Sequence, residues 1–165
     1  MKHMIIIPIL ISSFIINCAP LPKIERTQLQ IREIQTRTYE ISESKIVMKA
    51  MLNVLQDDGF IVKAAVPELG LLTATKEIDI ENMSESIPAY FFGGDNARWK
   101  KNSVIEATCN VSDFKDRCKV RVNFTQKILD NRGGTIAIRQ IYDQRFYQTF
   151  FLKVDKSIFI QKMDL

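Results

Sequence analysis

Glu77, Asp79 and Glu81 alternate along a strand-like stretch, so their carboxylates would project from one face, an arrangement that glycosidases and cation sites use. Spacing alone supplies neither a raised pKa nor a cleft, and a solvated edge is the simpler reading of three like charges. Ser44 and Lys45 are adjacent rather than helically spaced, and at a predicted helix start capping is their simpler role. The only histidine is His3. Beyond it the chain has no means to build a Ser-His-Asp triad, a Cys-His pair or a His-ligated zinc. Gly93-Gly94 and Gly133-Gly134 lack the flanks of phosphate loops and read as turns. No catalytic constellation, metal site or cofactor is expected, and the chain reads as a non-enzyme.

Two further groups invite a non-catalytic role. Cys109 and Cys118 flank the polar stretch 110–117 between two strand-like runs. In a hairpin centred near Asp113 and Phe114 the two thiols would face each other. A structural disulfide formed in an oxidising compartment and a pair of reduced thiols are the two readings. Tyr90, Phe91, Phe92 and Trp99 stand beside Arg98 in a segment that breaks the regular pattern. They would cover one end of a sheet, contact a partner protein or dip into a lipid headgroup layer.

The chain that must position these residues has 165 of them, 46% hydrophobic and 25% charged, the length and composition of one folded domain. Its first residues carry their own signal. Met1-Lys2-His3 precedes an uncharged apolar run over 4–16, too short to span a bilayer and apolar on every side, which reads as a signal peptide over 1–17. Ile15-Ile16-Asn17-Cys18 resembles the lipobox of bacterial lipoproteins. The resemblance implies a lipidated Cys18 that tethers the chain to a membrane, and Ala19 is similar to the sorting position of lipoproteins sent to the periplasmic face of the outer membrane. An ordinary secreted or anchored protein is the other reading. Without residues 1–17 the net charge falls from +4 to +3, with basic residues dispersed among acids, so no nucleic-acid partner is expected.

Residues 18–33, with Pro20 and Pro22 and then mixed charges, read as a tether, and 34–165 as a single domain with an insertion at about 81–102. The β-formers of 34–41 predict a strand, and Ser42 a helix cap. Ile46, Val47, Ala50, Met51, Val54 and Leu55 repeat at helical spacing up to Gly59. Residues 60–65 and 71–80 predict one hairpin, 104–111 and 118–128 a second, and 135–141 a short further strand. Asp143 would cap a final helix whose stripe runs from Phe146 to Phe159. Two amphipathic helices on one face of an antiparallel sheet of about four to six strands make an α+β two-layer sandwich.

Arg37-Thr38-Tyr39, the helix end running to Gly59-Phe60, the Glu68-Leu69-Gly70-Leu71 turn and the tail from Phe146-Tyr147 to Phe159 resemble small uncharacterised lipoproteins of Gram-negative bacteria. The arrangement is similar to the helix-grip domains of BamC, the lipoprotein of the outer-membrane β-barrel assembly machinery. That resemblance implies architecture and carries no catalytic residue. The expected function is therefore an accessory or assembly subunit of an envelope complex, bound to a protein partner through exposed sheet edges or the 81–102 insertion. The alternative is a ligand-binding module that grips a lipid, glycan or peptide between helix and sheet.

Overall fold

The computed structural model describes residues 27–80 and 100–163. Their order is α1 (Gln28–Ile34), β1 (Thr36–Tyr39), α2 (Ser44–Asp57), β2 (Ile61–Val66), a 3-10 turn (Pro67–Leu69), β3 (Leu71–Asp79), β4 (Lys100–Phe114), β5 (Arg117–Asp130), β6 (Thr135–Gln140) and α3 (Gln144–Met163). The six strands form one open antiparallel sheet in the order β1-β5-β4-β3-β2, with β6 also on β5. The fold is α+β, as the sequence predicts, and a third, short helix joins the two expected ones.

That helix corrects the tether. Thr27 and Gln30 form a reciprocal capping box, and Ile31 and Ile34 turn inward at three-residue spacing, so residues 28–33 of the expected tether are helical. The first strand is confined to Thr36–Tyr39. The N-cap of α2 is Glu43 rather than Ser42, and Ser44 Oγ donates instead to Asp113 Oδ2 at 2.9 Å. At its other end α2 closes as expected, with Gly59 at φ 81 and Phe60 N donating to Leu55 O at 2.8 Å. The insertion ends earlier than 102, because the β3–β4 ladder already pairs Asp79 with Asn102.

The second hairpin is longer than predicted and differently registered. Phe114 pairs with Arg117, so the turn is Lys115-Asp116, and Lys115 adopts φ 45. Moving the turn two residues along the chain shifts every cross-strand partner by four. Cys109 therefore faces Val122, and Cys118 faces Asp113. The two thiols sit about four residues apart along the strands, roughly 13 Å at strand rise, beyond the reach of a disulfide. Both are free and buried, which corrects the expected bridge.

Alternation sends one face of the sheet inward. Leu72, Ala74, Ala107, Cys109, Val120 and Val122 pack under Val47, Met51 and Leu55 of α2 and under Tyr147, Phe151 and Val154 of α3. Phe159 leaves the predicted stripe: one residue past buried Ile158, it turns outward and is 65% exposed. The sheet outruns its helices. β4 extends about 50 Å at strand rise, while the 14-residue α2 is about 21 Å long.

Candidate functional site

Where that helical cover ends, the inward face opens into a cleft of about 440 Å³. Its floor is Ile78 of β3, Ile105 of β4 and Phe124 of β5, and its walls are Phe60, which follows the α2 cap, and Phe146 and Phe150 on the first turns of α3. Asp143 sets those turns: its Oδ1 accepts from Phe146 N at 2.9 Å, capping the helix as predicted. The rings interlock around Phe124. Phe146 and Phe150 meet it edge-on at centroid distances of 4.8 and 5.3 Å, and Phe60 stands 6.1 Å away.

A buried polar junction holds Phe124 in place. β1 and β6 share one edge of β5, and the gap between them is closed by Gln35, whose carbonyl accepts from Val122 N at 2.9 Å. Gln35 Nε2 donates to the Tyr147 hydroxyl at 3.4 Å, and Phe124 N donates to the same oxygen at 3.3 Å. Burial raises the Tyr147 pKa, so the phenol stays neutral and serves as a hydrogen-bonding strut.

The rim of the cleft is cationic. Lys76 occupies an inward position of β3, lies 5.9 Å from the Phe60 ring centroid and donates to Asp58 O at 2.6 Å. Lys153 pairs with the Asp58 carboxylate. Arg145 is exposed and has no ion-pair partner among the described residues. Among the described residues one carboxylate therefore faces three cations, and this part of the rim carries a net positive charge. An apolar floor with an unbalanced positive rim suits a molecule with an apolar body and an anionic end. A roomier groove of about 620 Å³ between α1 and α3 is lined mainly by polar side chains such as Gln30, Glu33, Arg37 and Gln144.

The residues singled out in the sequence do not gather at this cleft. Glu77 and Asp79 lie on the opposite, open face of the sheet, where Glu77 accepts from Asn102 Nδ2. Glu81, Cys18, Tyr90, Phe91, Phe92, Arg98 and Trp99 lie outside the described residues. Cys109 and Cys118 are core side chains. Burial pushes the Cys109 thiol up to about 12, and burial with Asp113 beside it pushes Cys118 up to about 11. Both shifts favour the protonated thiol at neutral pH. No group of three His, Cys, Asp or Glu able to hold a metal occurs among the described residues.

Sequence reading missed Phe60, Lys76, Ile105, Phe124 and Arg145 as site residues. One signal was present: in Leu72-Thr73-Ala74-Thr75-Lys76-Glu77-Ile78 the inward phase of the strand is interrupted by a lysine.

No protein-family profile matches the chain, and no curated protein matches it. Among solved structures it is similar to a TBP-like protein from Parabacteroides distasonis, with 9% identity over 74% of this chain and 90% of that one and a TM-score of 0.40. It is also similar to a DUF4468 family protein from Bacteroides ovatus, with 11% identity over 74% of this chain and 84% of that one and a TM-score of 0.38. Likenesses of this size assign neither a family nor an activity.

Proposed function

We propose that the chain is a non-enzymatic binding module of the bacterial envelope, tethered through a lipidated Cys18 to the periplasmic face of an outer membrane. Its cleft takes the apolar part of a lipid, and Arg145 with Lys76 meets the lipid's anionic end. The observation that carries this reading is the aromatic cleft of about 440 Å³ with its unbalanced cationic rim. Its size falls within the range of small-molecule sites. The anchor rests on the resemblance of Ile15–Cys18 to a lipobox and on the apolar run before it.

The test is native mass spectrometry of the full chain gently extracted from envelopes, with the organic extract examined for acidic lipids. A stoichiometric adduct that is lost in Phe146→Asp, while the circular dichroism of the variant stays native, supports the cleft. No adduct, or an adduct unaffected by the substitution, overturns it.

A second reading, an accessory subunit of an envelope complex, is favoured by the β2 edge. Among the described residues β2 pairs only with β3, and Ile61, Leu69 and Leu71 beside that edge are 66%, 65% and 42% exposed. Affinity purification from solubilised envelopes, beside a Cys18→Ser control, recovers a discrete partner if this reading holds.

A further inference from the structure

The outward crest of α3 is apolar where a solvent-facing helix ordinarily is not. Leu152, Phe159 and Met163 follow one another at spacings of seven and four residues, so they share one line along the helix, and they are 64%, 65% and 70% exposed. Ile160, 48% exposed, flanks them. Isolated exposed apolar residues are common, whereas three in line with a fourth beside them form a patch of the kind that marks an interaction surface. The charges on α3 itself are mainly positive. α3 carries Arg145, Lys153, Lys156 and Lys162 against the single acid Asp155, and that acid is engaged by Arg37 at 2.9 Å. Lys156 lies between Leu152 and Phe159 on the same line, and neither it nor Lys162 has an ion-pair partner among the described residues.

The geometry points to the α3 crest as a peripheral contact with an anionic phospholipid surface, with Leu152, Phe159 and Met163 entering the headgroup layer and Lys156 and Lys162 meeting lipid phosphates. The inference rests on the proposed anchor for one element: reach. Cys18 precedes Gln28 by ten residues, a span of at most about 36 Å when fully extended, and α1 packs beside α3. A lipid on Cys18 therefore keeps the helical layer within reach of the bilayer. In this orientation the open face of the sheet points away from the membrane.

The test uses the full-length chain on vesicles of phosphatidylethanolamine and phosphatidylglycerol with brominated acyl chains. In a Trp99→Phe background, F159W reports the crest and I138W reports the exposed β6 edge of the sheet. The expected result is strong bromine quenching of the F159W reporter and little of the I138W reporter, with the difference reduced several-fold by K156E/K162E and in phosphatidylcholine vesicles. A chain that floats with the vesicles but shows equal or no quenching at the two positions overturns the crest contact and leaves the anchor standing. A chain that does not float overturns both. Concentration-dependent dimerisation abolished by Phe159→Glu, without quenching, assigns the row to a second copy instead and overturns the lipid contact.

Discussion

The two cysteines carry the clearest residue-scale consequences. Cys118 Sγ lies 2.9 Å from the Ile41 carbonyl and 3.3 Å from Asp113 Oδ1, so its proton is held between acceptors, and Cys109 is enclosed by apolar neighbours. Mass spectrometry after denaturing alkylation without reductant should find both thiols modified; a two-dalton deficit would indicate the bridge that the register forbids. Their raised pKa values also fix the sign of an alkaline effect. The unfolded chain releases these protons near the ordinary value of 9.0, while the folded chain holds them to about 11 and about 12. The native state thus binds more protons above pH 9. Stability is complete below pH 9 and falls as the pH climbs through 11 to 12. Tyr39 and Tyr147, whose buried phenols are shifted upward, add to that loss. Urea midpoints measured from pH 8 to pH 11 should be flat and then descend, and Cys109→Ala should shallow the descent. The sequence supplied the cysteines but not their partners. Asn110 to Asp113 is polar enough for a turn, yet it continues as strand because Val111 and the facing Val120 bury there.

At the scale of elements, two turns decide how the strands meet, and they differ in strain. Gly70 ends the β2–β3 connection at φ 63, and a Cβ there would lie 1.9 Å from the Val111 carbonyl oxygen. The close approach is built in, since Val111 N donates to Gly70 O at 2.8 Å. Gly70→Ala must strain the backbone and push β4 away, so a loss of about 2–3 kcal/mol is expected by chemical denaturation. Lys115 is the opposite case. It holds φ 45 with a side chain present, which costs roughly 1–2 kcal/mol. Lys115→Gly removes that strain against the added chain entropy of glycine, and a gain of about 0.5 kcal/mol is expected in the same measurement. The Gly59 and Gly70 signals and the helical periodicity of 46–55 made these elements legible in the sequence. The α1 helix was masked by its short length and by its polar residues, although the Thr27/Gln30 capping pair announced it.

For the whole molecule, the prediction concerns place rather than fold. Cys18→Ser should move the protein from the membrane to the soluble fraction of the envelope, with a thermal midpoint within a degree or two of the parent, because Cys18 precedes the first described helix by ten residues. A variant that stays with the membrane would count against the lipid anchor. Among the described residues no helix is long and apolar enough to cross a bilayer. The amino-acid sequence by itself determined the two long helices, the hairpins, their order and the α+β class, because periodicity and turn residues act over a few neighbours. It also carries no histidine beyond residue 3. Tertiary structure alone decided the register of β4 on β5, and with it the separation of the thiols. It alone placed Lys76 and Arg145 at one cleft and left the α3 crest uncovered. These features depend on residues far apart in the chain, and on strands that outrun the helices above them. A local pattern gives each strand and helix its inner face, but which part of the sheet stays uncovered is fixed only when their lengths are laid against one another.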